Sequence, residues 1–163
     1  MKKLILLLFI PLVSFGQTYE DIMSVKSVDM FKKVVIENNY ELGKSDEANT
    51  VMYGYNIIKD SINGDKATKW AIYGEDDDMF FFTFSRDDAM SKFFGMESDN
   101  SENPYDLILN DVKEKCTYYE VVTMEDIEYL TYSCPESTYK GKLGFAVMDG
   151  WGFVMHIPQF NED

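Results

Sequence analysis

CTYYEVVTMEDIEYLTYSC, residues 116–134, contains both cysteines of the chain and two runs rich in tyrosine, valine and threonine. Such runs, separated by polar residues near position 125, predict an antiparallel hairpin with strands at 117–123 and 127–134. Cys116 also ends a predicted helix, and Cys134 ends the second strand. A bond between the two would therefore clip a helix terminus to the sheet that the helix covers.

Residues 1–16, MKKLILLLFIPLVSFG, have the features of a secretory signal peptide. Two lysines precede an apolar run, and Ser14 and Gly16 are the small residues at the −3 and −1 positions of a cleavage site. The run is too short for a membrane-spanning helix, and the following residue is Gln17 rather than the cysteine of a lipoprotein. We therefore expect a periplasmic or secreted protein with no transmembrane segment in the mature chain.

This compartment decides what the cysteines do. An oxidising environment favours a disulfide, and the sequence has no C-x-x-C motif that would suggest a redox or metal pair. A crosslink that closes a loop of about 20 residues contributes about 3 kcal/mol to stability. We expect Cys116 and Cys134 to form a structural disulfide.

The acidic composition limits the partners. Without the two lysines of the signal peptide, 13 basic residues stand against 29 acidic ones, a net charge of −16 for residues 17–163. Such a surface repels nucleic acid and anionic membranes and would attract a basic partner, although acidity also serves simply to keep an exported protein soluble. A mature chain of this size is predicted to form a single domain.

The pattern of helix followed by strands occurs twice. Thr18 begins a helix that extends to Asn39 with a break near Ser27, and Asn103 with Pro104 begins a second helix that ends near Cys116. We predict strands at 40–43, 50–60, 66–74 and 79–84, and again at 117–123, 127–134, 142–149 and 151–157. Turns are expected at Asn63-Gly64, Lys140-Gly141 and Asp149-Gly150.

A shift of 79 residues superimposes the two halves: Tyr53 falls on Tyr132, for example. We therefore predict an α+β fold of two tandem helix-plus-four-strand antiparallel units, which form one curved sheet with the helices on one face. The units span 17–84 and 104–163, and residues 85–103 form a short helix and a linker between them.

The strands have large apolar residues on both faces. If Cys134 points toward the helix, alternation places Tyr132 on the covered face and Tyr129 on the other, and by the repeat Tyr53 is core while Met52 faces away. The runs MFFFTF at 79–84 and WGFVMH at 151–156 are apolar on both sides. Because helices cover one side only, the second face is either buried by another part of the chain or is an exposed aromatic and methionine-rich surface of the kind that binds proteins. No third layer is visible in the sequence.

A cysteine at a helix end, in KEKCTYYE at 113–120, and another at a strand end, in YLTYSC at 129–134, are features in which the chain resembles the β-lactamase inhibitory protein and related small exported binding folds. The resemblance implies an open concave sheet face that grips a partner protein. It does not extend to a disulfide in the first half, where Glu37 and Tyr55 occupy the equivalent positions.

Catalytic motifs are not apparent in the sequence. His156 is the single histidine, and with both cysteines in a disulfide there is no Cys-His pair, G-x-S-x-G elbow or phosphate-binding glycine loop. The run GEDDD at 74–78 is predicted to be a solvated turn, and its spacing is not that of a calcium-binding EF-hand loop. We expect no enzymatic activity, no cofactor and no metal site.

The favoured hypothesis is an exported protein-binding module, such as an inhibitor or immunity-type factor, whose partner is another exported protein. The alternatives are a structural role in the cell envelope and glycan binding, in which Trp70, Trp151 or tyrosines would stack on sugars. The predicted partner-binding residues are Met52, Tyr73, Phe82, Tyr129, Met148 and His156.

Overall fold

The computed structural model describes residues 17–44, 49–59, 64–74, 79–86, 103–135 and 141–158. The predicted signal peptide, most of the predicted short helix and linker, and residues 75–78 of the predicted acidic turn lie outside the described residues. Asn63 and Lys140, the first residues of two other predicted turns, lie outside them too. No prediction about those segments is addressed by the structure.

Three helices occur in the described residues: α1 (Tyr19–Ser24), α2 (Val28–Glu37) and α3 (Pro104–Lys115). The Thr18 side chain and the Asp21 carboxylate form a reciprocal capping box that begins α1. Ser27 accepts a hydrogen bond from the Met30 amide and begins α2, which confirms the predicted break. Asn103 caps α3, where Pro104 occupies the first turn.

Eight strands form one antiparallel sheet. Their bounds are β1 (Glu41–Leu42), β2 (Thr50–Tyr55), β3 (Lys69–Gly74), β4 (Met79–Ser85), β5 (Thr117–Met124), β6 (Ile127–Ser133), β7 (Gly141–Met148) and β8 (Trp151–Pro158). The spatial order is β1-β2-β3-β4-β8-β7-β6-β5, so β1 and β5 are the two edges. The prediction of an α+β fold with an antiparallel sheet is confirmed.

The helices pack on one face of the sheet, here called the helix face. Phe31 of α2 lies among three sheet rings, with ring centroids 5.4 Å from Tyr73, 5.8 Å from Phe82 and 6.2 Å from Tyr53. Tyr105 of α3 sits 6.0 Å from the Phe145 ring. Full burial of an aromatic side chain of this kind stabilises the fold by about 2–3 kcal/mol, so these contacts fix the helices on the sheet.

The Cys116–Cys134 disulfide is present, as predicted. Cys116 follows the last residue of α3, and its backbone amide donates to the Val112 carbonyl at 2.8 Å. Cys134 follows β6 and is buried in the helix-face core. The bond therefore joins the end of α3 to the start of β5 and the end of β6.

Two strands, β2 and β3, are shorter than predicted by three residues or more. β2 stops at Tyr55 rather than at residue 60, because Asn56 adopts a left-handed conformation with φ of 53°, and Ile58 forms only an isolated bridge with Lys66. β3 accordingly begins at Lys69. The predicted turn at Asp149-Gly150 is confirmed, since both residues have positive φ.

Candidate partner-binding face

The face of the sheet opposite the helices, here called the second face, is rich in aromatic residues and methionine. Cross-strand register defines it: Met52 pairs with Ile72, Ile72 with Phe81, and Phe81 with Met155. On the same face lie both tryptophans of the chain and five of its ten methionines. These residues are Trp70, Trp151, Met52, Met79, Met124, Met148 and Met155.

The Trp70 ring packs closely against the backbone at two glycines, Gly43 and Gly54. A Cβ atom built on Gly54 would lie 2.8 Å from Trp70 Cζ3, and one built on Gly43 would lie 3.0 Å from the same atom and 3.4 Å from Met52 Cε. The absence of side chains at these two positions lets the indole ring approach the backbone of the neighbouring strand. Trp70 and Met52 thus form one half-buried apolar surface near the β1 edge.

The β5 side of this face has a hydrophobic cluster of its own. Tyr129, Ala146 and Ile157 are buried together, with Phe153 and Met155 packed against them. Gly144 makes room for the cluster, because a Cβ atom there would lie 2.8 Å from Ile157 Cδ1 and 3.3 Å from Tyr129. Burial raises the pKa of the Tyr129 hydroxyl, and the nearby Glu125 carboxylate raises it further.

Charged side chains on the second face of the described strands are Glu41, Glu120 and Lys142. Glu41 lies on the short edge strand β1. At the other edge, Lys142 Nζ lies 3.4 Å from Glu120 Oε1 and 3.0 Å from the centroid of the Tyr119 ring. The middle of the face, formed by β3, β4 and β8, is therefore uncharged over the apolar residues Ile72, Phe81 and Phe153.

Half of the predicted binding residues lie on the second face. Met52, Tyr129 and Met148 are there, and Met148 is the most accessible of the three, with 41% of its surface exposed. Tyr129 is only 3% exposed, so its contribution to the surface is through packing rather than direct contact.

The other three predicted residues are on the helix face, which corrects their assignment. Tyr73 is 2% exposed, Phe82 is fully buried and His156 is 2% exposed. The register pairs Tyr73 with Val51 and Phe82 with Ala71, which directs both toward α2. His156 stacks on Phe80 with centroids 5.3 Å apart and planes inclined by 12°. None of the three is accessible to a partner in the folded chain.

Several second-face residues were not among the predicted partner-binding residues, although Trp70 and Trp151 were named for the glycan-binding alternative. They are Trp70, Ile72, Phe81, Trp151, Phe153 and Met155. Alternation within each strand separates them from the core residues, but only the pairing between strands shows which alternate set faces the helices. The glycines opposite Trp70 are the one local signal in the sequence, since a glycine in a strand often marks close approach of a large neighbour.

The described residues contain no group of three or more histidine, cysteine, aspartate or glutamate side chains that could hold a metal ion. In the same part of the chain, no helix has the length and apolar character needed to cross a membrane, and the longest, α3, has 12 residues. Comparison of the chain with protein-family models, with curated proteins and with solved structures found no match.

Proposed function

We propose that this protein is an exported, non-enzymatic binding module that holds another exported protein against its second face, as an inhibitor or immunity-type factor would. The observation that carries the proposal is the concentration of both tryptophans and half of the methionines on the face opposite the helices. Apart from exposed Met148, these residues are half-buried, and chains seldom leave so many large apolar groups partly accessible outside the main core unless something covers them.

The composition of the face supports a protein as the partner. The centres of protein interfaces are enriched in aromatic residues and methionine and depleted of charge, with polar groups at the rim. Here Phe81, Phe153 and Met155 lie in the middle, while Glu41 and the Glu120–Lys142 pair lie near the two sheet edges. Methionine also adapts its shape to a partner at low cost, because its side chain is flexible and polarizable.

The strand order supports the proposed tandem architecture. The first four strands are consecutive neighbours, the last four are too, and the two sets meet where β4 pairs with β8. Two units joined in this way would present a continuous surface across eight strands. Strand twist would curve such a surface, which matches the shape needed to enclose part of a partner.

Binding to the second face is tested by a pair of variants in one strand. Met148 and Val147 are adjacent in β7, with 41% and 51% of their surfaces exposed, but they point to opposite faces. We expect Met148→Asp to abolish capture of a partner from periplasmic and secreted fractions of the source organism, and Val147→Asp to retain it. Both variants add the same charge at similar exposure, so the comparison isolates the face.

Equal capture by the two variants would contradict the use of the second face. Loss with Val147→Asp alone would point to the helix face instead. Retardation of the wild-type protein in a gel containing soluble polysaccharide, with no stoichiometric protein complex, would favour the glycan-binding alternative. Far-ultraviolet circular dichroism of each variant would establish that the fold is retained.

A further inference from the structure

Among the described strands, β5 forms one long free edge of the sheet. β5 has eight residues and, in the part of the chain that the structure describes, pairs only with β6, whereas β1 at the opposite edge has two residues. Proteins usually protect such edges with proline, lysine, short strands or bulges, because an open edge pairs with other chains. β5, TYYEVVTM, has neither proline nor lysine.

The bulge in β5 does not close this edge. The pairing register of β5 with β6 shifts between Tyr118 and Val121. The backbone amide and carbonyl that lose their regular partners at this shift form hydrogen bonds to β6 instead. The Glu120 amide donates to Thr131 Oγ1 at 3.3 Å, and the same hydroxyl donates to the Glu120 carbonyl at 2.7 Å. Regular pairing then resumes from Val121 opposite Leu130 to Met124 opposite Ile127.

The alternation of backbone groups shows which residues face outward. Since the amide and carbonyl of Glu120 both point toward β6, those of Val121 and Thr123 are directed to the free edge. Beside them on the helix face, Val121, Leu130 and Val147 have exposed side chains that the helices leave uncovered. An added strand would therefore gain backbone hydrogen bonds at the edge and cover exposed Val121.

Charge indicates the kind of strand that fits. Exposed acidic side chains surround the outward-facing part of β5, Val121–Met124. They are Glu120 in β5 and Glu125, Asp126 and Glu128 around the hairpin turn. Lys142, which pairs with Glu120, lies on the opposite face from Val121. A second copy of this chain, with net charge −16 over residues 17–163, would bring like charges together, whereas an extended segment rich in lysine or arginine would be attracted.

We propose that the free edge of β5 from Val121 to Met124 is a docking site for an extended, basic segment of another protein, which pairs with it as a ninth strand. The site is separate from the second face and does not depend on the function proposed for that face. Main-chain hydrogen bonds would supply affinity. Exposed Val121, with the acidic side chains around it, would select alternating apolar and basic residues.

The probe is a short synthetic peptide in which valine alternates with lysine and arginine, with a fluorescent label for anisotropy. We expect it to bind the wild-type protein, and expect a matched peptide with glutamate at the basic positions to bind at least about tenfold more weakly. A third peptide, N-methylated at every second amide so that it retains charge but loses strand pairing, should also lose at least about tenfold.

Two substitutions at one exposed position test the edge itself. Thr123→Pro removes the outward amide and is of a type that edge strands tolerate, and Thr123→Ala retains that amide. We expect the alanine variant to bind the basic peptide like the wild type and the proline variant to lose at least about tenfold. Met148→Asp, on the second face, should leave peptide binding unchanged.

Equal binding of the N-methylated and unmodified peptides would overturn the proposal, because attraction would then be purely electrostatic. That comparison uses the wild-type chain, so it decides the question even if Thr123→Pro does not fold. Absence of peptide binding at low salt would overturn it too. A wild-type dimer that dissociates in the Thr123→Pro variant would replace the basic segment with a second copy of the chain.

Discussion

Removal of the Cys116–Cys134 disulfide should weaken the fold without abolishing it. The bond joins residues separated by 18 positions, and closure of a loop of this length reduces the free energy of the native state relative to the unfolded chain by about 3 kcal/mol. For a domain of this size, that loss lowers the unfolding temperature by about 6–12 °C. The helix-face core has many other buried aromatic contacts, so folding should remain cooperative.

The loss should be greatest where α3 meets the sheet. Cys116 ends α3, and the Tyr19 hydroxyl of α1 lies 3.8 Å from its sulfur, so the crosslink also supports the contact between α1 and α3. In a Cys116→Ala/Cys134→Ala variant, we expect amide exchange to accelerate most in the last turn of α3 and in the neighbouring end of β6. Amides of α2, which packs over β3, should change less.

Urea unfolding followed by tryptophan fluorescence would measure the stability change, with the wild-type protein under reducing conditions as a second way to break the bond. An unchanged unfolding midpoint would refute the loop-entropy argument. A chain that no longer folds would show that the disulfide is essential rather than an addition to a sufficient core, which also contradicts the reasoning.

Two further predictions concern Tyr105. Gly152→Ala should destabilise the protein by about 1–3 kcal/mol in urea unfolding, because a Cβ atom there would lie 2.6 Å from Tyr105 Cγ. A smaller destabilisation in a Tyr105→Ala background would confirm that the Tyr105 ring is the obstacle, and an equal destabilisation would exclude it. Burial raises the pKa of Tyr105 to about 12, so its hydroxyl ionises first in the unfolded chain. The contribution of this hydroxyl to the free energy of unfolding should therefore be complete below about pH 10 and be lost as pH rises toward 12. Thermal unfolding at each pH should show a less steep fall in stability for Tyr105→Phe than for the wild type, and parallel curves would contradict this.

Local signals in the sequence were sufficient for most helices and strands. The capping residues Thr18, Ser27 and Asn103 each begin a helix where a side-chain acceptor precedes an apolar periodic run. The alternation in β6 correctly separated buried Tyr132 on the helix face from Tyr129 on the second face. These features depend on residues within a few positions of one another, which is why they can be predicted without the fold.

The binding face was harder to predict, because it depends on pairing between strands. A strand's alternation gives two sets of side chains but does not say which set the helices cover, and a shift of one residue exchanges them. Tyr73, Phe82 and His156 were assigned to the wrong set for this reason. The register shift between Tyr118 and Val121 is a further feature that local sequence does not predict. Nothing near it in the sequence indicates that the Thr131 hydroxyl, on the neighbouring strand, stabilises the bulge.

The disulfide and the bulge together explain how the free edge of β5 is ordered in the absence of a partner strand. The disulfide restrains the hairpin at its open end, where Cys116 precedes β5 and Cys134 follows β6. Thr131 fixes the register in the middle, and the turn at Glu125 and Asp126 fixes it at the far end. Val121–Met124 is therefore ordered before any partner binds. The binding of a partner strand would not have to offset the entropic cost of ordering that segment.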